Sequence, residues 1–241
     1  MQAVYRFDRY PASFNFLEFL VAAKTYGATE IVLDVSHGHT LKYTLKETEQ
    51  RVKSIVEPCC ALAGLPFVYG KTAPGMIDCG YHFAVPVKAW KDCGWLAKLK
   101  SVKPSKVVQY TVTLRNSTRQ PRRNSNTTAW RRFAEEIGAK VFEDWSDEPI
   151  HLHDRMAYYA GAEMNFFSNG GMSALGIFSD YPYTILMNKA YNPYLDANGW
   201  KRGDQIPWAL PNQTTVWEED TYENLMHALT FQGSNHAEST V

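Results

Sequence analysis

The chain carries no net charge: 25 lysines and arginines are matched by 25 aspartates and glutamates in 241 residues. That balance excludes a whole-molecule field of the kind that draws a protein onto nucleic acid or an acidic membrane, so any anion site must be built locally. No run approaches the roughly 18 apolar residues that a membrane span needs, and no basic segment followed by an apolar one opens the chain. The expectation is therefore a cytoplasmic protein without a membrane span. In that setting the glycosylation-type triplets starting at Asn116, Asn126 and Asn212 have no meaning. Cysteine is scarce. Cys59, Cys60, Cys79 and Cys93 form no C-x-x-C pair, and the adjacent Cys59 and Cys60 are poorly placed to bridge one another. They read as reduced thiols that mostly fill core space.

What is present is ordinary globular composition, with 45% hydrophobic, 21% charged and 14% aromatic residues. Ala3 to Phe7 reads as a strand, Phe14 to Ala23 as a helix stopping at Gly27, and Glu30 to Val35 as a strand covered on both faces. A helix follows over Leu45 to Leu62, with Pro58 expected to kink or end it, then a strand over Leu65 to Tyr69. Tyr81 to Val87 has strand character. The polar, proline-containing L-K-S-V-K-P-S-K of residues 99–106 has the composition of a connection. The alternation then restarts. Strands are expected at Val107 to Leu114, Lys140 to Glu143, Asn165 to Ser168 and Tyr183 to Met187, separated by helices at Asn126 to Ile137, Leu152 to Ala162 and Gly171 to Phe178. A last helix is expected over Asp220 to Leu229. The fold class this predicts is α/β: two Rossmann-like, βα-repeating halves with mainly parallel sheets, residues 1–103 and 104–231, and a frayed tail at 232–241.

The richest stretch chemically is V-T-L-R-N-S-T-R-Q-P-R-R-N-S-N-T-T-A-W-R-R, residues 112–132. Arg115 ends a predicted strand, and Arg119, Arg122 and Arg123 crowd the loop before the next helix. Ligands of parallel sheets bind outside this edge, and guanidinium groups suit phosphate because they stay charged and bond at two points. Asn124, Ser125 and Asn126 offer capping oxygens, and the first-turn amides of the following helix form an anion site. Arg131 and Arg132 read as solvent-facing or paired with Glu135 and Glu136. A second stretch, F-F-S-N-G-G-M-S-A-L-G at residues 166–176, ends a strand. Asn169-Gly170-Gly171 can turn tightly with positive φ into a helix whose amides, with Ser173, could meet a phosphate or ribose.

Together Arg115 in V-T-L-R and Asn169 to Ser173 in N-G-G-M-S resemble the nucleotide-binding half of the GT-B glycosyltransferases, fucosyltransferase-like branches among them. The likeness covers roughly residues 106–187 and the general plan of residues 1–70; the H-x-R-R-T-D run of the fucosyltransferases is not present. It implies a compact GT-B-like fold, a nucleotide diphosphate sugar as donor, and an acceptor the sequence does not identify. It also implies a second half that holds the donor through Arg115, Arg122, Arg123, Asn124, Ser125, Asn169, Gly170, Gly171 and Ser173. Enzymes of this type need no bound metal for the donor phosphates. Transfer with inversion needs a base near the acceptor hydroxyl; His37 in D-V-S-H-G-H-T and Asp8 after the first strand are the candidates, with Arg115 stabilising the leaving group. His151 and His153 with Asp154 look like a metal cluster, but Asp154 or His153 better serves the first turn of the helix that follows, and no third ligand is then evident. Trp208 and Trp217 are read as packing groups. Two other readings stay open at this point: a non-catalytic nucleotide or nucleotide-sugar binding protein, and a nucleic-acid-associated protein using the arginine loop.

Overall fold

A computed structural model of the chain describes residues 1–36, 43–104, 107–117, 121–143, 151–187 and 202–237. The chain divides into two compact units, Met1–Ser101 with His151–His153, and Val102–Ile150 with Asp154–Val241. No helix among the described residues is long and apolar enough to cross a membrane.

In the first unit the order is β1 (Gln2–Arg6), α1 (Phe16–Thr25), β2 (Glu30–Asp34), α2 (Leu45–Arg51), a π-helical turn (Val52–Val56), α3 (Glu57–Ala63), β3 (Phe67–Tyr69) and α4 (Ala84–Cys93). The sheet runs β1-β2-β3 and is parallel throughout, with Ala3 opposite Ile31 and Ile31 opposite Phe67. Its centre is apolar on both faces: Val4, Tyr5, Ile31, Val32 and Leu33 are all buried. Covered sheets of this kind give the unalternating apolar runs seen in the sequence. Beyond β3 the chain returns to the free side of β1, where Ala3 bridges Ile77 and Val4 N donates to Ile77 O. Helix α1 is buried nearly all round, with Phe16, Leu17, Phe19, Leu20 and Val21 in the core.

One expectation fails here for an identifiable reason. Tyr81 to Val87 is not a strand, because Ala84 starts α4 and Pro86 falls in its first turn, where a missing N–H is harmless. Gly94, at φ 73°, then ends that helix. Of the two outcomes expected at Pro58, a kink or an end, the helical segment does not end there. The wider π turn at Val52–Val56 lies just ahead of it, and the helix resumes with Pro58 in the first turn of α3. Cys59 and Cys60 are fully buried on α3, and burial pushes the Cys60 thiol up to about 12; Cys79 is half-buried and Cys93 exposed.

The carboxyl end of β2 is tied down by Asp34, which is 2% exposed. One carboxylate oxygen accepts from Ser36 N at 3.0 Å and Ser36 Oγ at 2.5 Å. The other accepts from Thr72 N at 2.7 Å and Thr72 Oγ1 at 2.5 Å, joining β2 to the chain that leaves β3. Burial alone would raise the Asp34 carboxyl; the donors from Ser36 and Thr72 outweigh it and hold it well below the usual carboxylate range.

The second unit comprises β4 (Val108–Leu114), a 3-10 turn (Pro121–Arg123), α5 (Thr127–Glu136), β5 (Lys140–Glu143), α6 (Leu152–Gly161), β6 (Ala162–Ser168), α7 (Ser173–Ile177), β7 (Tyr183–Leu186), β8 (Gln213–Val216) and α8 (Tyr222–Ala237). Its five strands lie in the order β5-β4-β6-β7-β8, all parallel. The two faces of the sheet differ. On one, Val112, Leu114, Met164, Phe166 and Leu186 join Trp130 and Phe133 of α5 and Leu225 and Ala228 of α8 in an apolar cluster. On the other, alternate residues carry a buried polar network. Thr111 Oγ1 donates to Asn165 Oδ1 at 2.6 Å, and Asn165 Nδ2 donates to the carbonyls of Tyr159 and Pro182 at 3.1 and 2.8 Å. Thr113 and the Tyr159 hydroxyl share a further bond of 2.8 Å.

Two elements depart from the sequence reading. Strand β8 lies in the aromatic and amide-rich segment around Trp208 and Trp217, and α8 runs past Leu229 into the segment expected to be frayed. Trp208 does pack: it stacks on Phe178 with ring centroids 5.9 Å apart and donates from Nε1 to Ile177 O.

Replacing Asp34 with Ala lowers the unfolding free energy by about 2–4 kcal/mol, because it removes a charged acceptor of several hydrogen bonds. The native carboxyl titrates below the unfolded one, so this contribution is complete above about pH 4 and is lost as the pH falls through the native value. Urea midpoints of wild type and variant therefore differ most at neutral pH and converge on acidification. In the second unit, a Cβ on Gly176 would stand 2.6 Å from the Phe167 ring, which is wholly buried. Gly176→Ala is expected to lower stability by about 1–3 kcal/mol in the same assay.

Candidate functional site

The strand order of the second unit determines where a ligand can enter. From β4 the chain crosses to β5 on one side and then returns to β6 on the other, so the connections leaving the carboxyl ends of β4 and β6 diverge, and such reversals are where open parallel sheets bind ligands. Thr113 of β4 lies opposite Phe167 of β6. That is the last pair of these two strands, and Arg115 and Asn169 are the residues that directly follow β4 and β6. Asn169 N donates to Leu186 O at 3.2 Å, so β6 stays tied to β7 up to Asn169. The two stretches singled out in the sequence are therefore neighbours in the fold.

The loop from β4 to α5 is closed at its neck. Arg115 N donates to Ser125 Oγ at 2.8 Å and Ser125 N donates to Arg115 O at 2.9 Å. Asn124 adds a second rung, accepting from Ser117 N at 2.8 Å and donating to Ser117 O at 3.2 Å. Asn124 and Ser125, expected to face a ligand, thus have their side chains engaged in shaping the loop, and Ser125 is buried. Arg115 and Arg123 are half-buried. Arg119 and the side chain of Arg122 lie outside the described residues.

At the start of α5 the chain supplies its own anion. Asn126 Oδ1 accepts from Ala129 N at 3.3 Å, while Asn126 N and Trp130 Nε1 both donate to Asp220 Oδ2, at 2.7 and 2.9 Å. The sequence reading placed a ligand's anion at this helix end; Asp220, from the segment that brings α8 against α5, stands there instead. Arg131 and Arg132 are both exposed, in line with the solvent-facing alternative. Arg131 pairs with Glu143 Oε1 at 2.6 Å, and Arg132 lies over the Tyr222 ring at 3.7 Å.

After β6, Asn169, Gly170 and Gly171 are half-buried and lead into α7, a helix of only five residues. Ser173 is buried and donates from Oγ to Gly170 O at 2.6 Å, so its hydroxyl proton serves its own turn and its lone pairs remain as acceptors. The turn does not use the left-handed backbone expected of it. Among the described residues the positive φ values belong to other glycines, Gly27, Gly64, Gly75, Gly80, Gly94, Gly138 and Gly203.

Of the candidate bases, His37 lies outside the described residues, as does His39. Asp8 follows β1, and both its oxygens accept from the Arg6 guanidinium, at 3.2 and 2.8 Å. No group of three His, Cys, Asp or Glu side chains among the described residues could hold a metal ion. Asp154 lies in the first turn of α6.

One further charged group stands at this edge, unsignalled in the sequence. Arg155, on α6, is only 4% exposed; its Nη2 donates to Glu143 O at 2.9 Å and its guanidinium lies 5.0 Å from the Phe142 ring centroid. Nothing in H-L-H-D-R-M-A distinguishes it from a surface arginine, because its burial comes from how α6 lies on β5.

The fold is α/β, with two all-parallel, Rossmann-like sheets, and Arg115 follows β4 at the strand-order reversal of the second. Compared with models of protein families, with curated proteins and with solved structures, the chain matches none.

Ser125→Ala removes the side-chain half of the loop's neck and is expected to lower stability by about 1 kcal/mol. A larger effect is expected in limited proteolysis, where cleavage between residues 116 and 124 should accelerate several-fold without loss of the folded core.

Proposed function

We propose that the chain is a nucleotide-sugar-dependent glycosyltransferase of GT-B type, with the donor's diphosphate held at the carboxyl ends of β4 and β6. The observation that carries this reading is that Arg115 and the Asn169-Gly170-Gly171 turn directly follow β4 and β6, paired strands at the strand-order reversal, where parallel α/β sheets bind their ligands. The diphosphate gains charge as the glycosidic bond breaks. A guanidinium carried on backbone already fixed by the loop neck stabilises that developing charge more than the intact donor, and this difference is what raises the rate. The small residues after β6 let the backbone approach a phosphate or ribose closely. His37 and Asp8 remain the candidate bases for the acceptor hydroxyl, and Arg122 and Arg123 complete the proposed cationic loop.

A second reading, a nucleotide or nucleotide-sugar binding protein without transfer, is favoured by one observation. The Asp8 carboxylate is bonded at both oxygens to Arg6, so it is not simply available as a base.

Incubation with a panel of nucleotide sugars separates the two. An enzyme slowly releases nucleoside diphosphate even without acceptor, whereas a binding protein returns the donor intact. With a matched donor, Arg115→Ala should reduce kcat/KM by roughly 30- to 1000-fold, the equivalent of about 2–4 kcal/mol of transition-state stabilisation. Unaltered turnover in that variant overturns the phosphate role.

A further inference from the structure

Arg155 combines three properties that do not belong together in a purely structural residue. It is buried, and neither its Nε nor its Nη1 has a hydrogen-bond partner. It also forms no ion pair among the described residues. The nearest carboxylate in the sheet, that of Glu143, is engaged elsewhere: Oε1 with Arg131 at 2.6 Å and Oε2 with Asn116 at 3.3 Å. Arg155 receives only the Glu143 carbonyl and the face of Phe142. A buried guanidinium left this far short of acceptors destabilises the ligand-free fold, and an apolar side chain of similar length would fill the space at lower free energy.

Its place suggests why the charge is there. Glu143 ends β5 opposite Leu114, the residue before Arg115. With adjacent strands about 4.8 Å apart, the guanidinium stands within roughly two strand widths of the end of β4. Water shielding is weak at a buried site, so its field reaches that edge with little screening.

We propose that Arg155 gives the sheet edge beside Arg115 a second positive charge, whose counter-charge is a phosphate-bearing ligand. It acts through space, because its nitrogens are covered by protein; it is a positioning charge and not a contact. This rests on the reading of that edge as an anion site, though not on sugar transfer. Departures from local packing rules of this kind are expected where function requires them.

The test uses the full-length chain, inorganic pyrophosphate and inorganic phosphate as probes, titration calorimetry at low salt, and thermal unfolding without ligand. Arg155→Met should keep or raise the ligand-free Tm and weaken pyrophosphate binding about tenfold, with a smaller loss for the less charged phosphate. Arg155→Lys, which keeps the charge, should recover most of the pyrophosphate affinity. The inference is overturned if pyrophosphate binds the Met variant as it binds wild type, if Lys loses as much as Met, or if Met lowers the ligand-free Tm by several degrees. A Met variant that fails to fold counts with the lowered Tm and overturns the inference, while Arg155→Gln, whose amide can still donate towards Glu143 O without carrying charge, should lose pyrophosphate affinity as Met does. The two proposals fail separately. If Arg115→Ala abolishes pyrophosphate binding and Arg155→Met does not, the anion site stands and the role of Arg155 falls. If Arg155→Met loses binding while no nucleotide sugar is turned over, the charge stands and the transferase reading falls.

Discussion

The second unit depends on one topological constraint: β4 lies between β5 and β6, and the chain goes first to one side of it and then to the other. Parallel strands need crossover helices, so this reversal sends the loops after β4 and β6 in opposite directions and leaves their first residues facing a common space. The polar network beneath reinforces the arrangement. Asn165 is completely buried, yet its amide is satisfied by Thr111, Tyr159 and Pro182, which fixes β6 against β4 and against the turn before β7. A one-residue slip of β6 would leave that amide unbonded in the core and exchange the apolar face for the polar one.

Charge is distributed unevenly around this edge. Two of the described acids there are matched within the chain: Asp220 to the start of α5 and the Trp130 indole, Glu143 to Arg131 and Asn116. These pairings leave the neutral total of the sequence intact while engaging the Glu143 carboxylate away from Arg155. A protein with zero net charge can thereby hold a locally positive site, and the whole-molecule balance says nothing about that site.

Much of this was legible in the sequence, for physical reasons that differ by element. Strands such as Glu30–Asp34 and Tyr183–Leu186 were readable because covered strands need apolar runs, and α5 because its apolar residues recur on one face. Strand β8 was not, since Q-T-T-V is short and half polar, and its identity comes from pairing with β7. Tyr81 to Val87 misled because aromatic and β-branched residues near a helix start imitate a strand, while the decisive facts are Pro86 in the first turn and Gly94 at the end. In the site, Arg115 and Asn169 were readable from their positions after strands. Asp220 was not, because an acid 94 residues from Asn126 carries no local sign of being its partner. Arg155 was hidden for the same reason, its burial being a property of packing.

The double rung that Ser125 and Asn124 make with Arg115 and Ser117 isolates the loop's tip from the sheet. Residues beyond the rung can be exchanged, lengthened or shortened while the strand end and the helix start stay in place. Ligand preference in relatives of this chain could therefore drift by changes at the tip alone, with the folding of the domain left untouched.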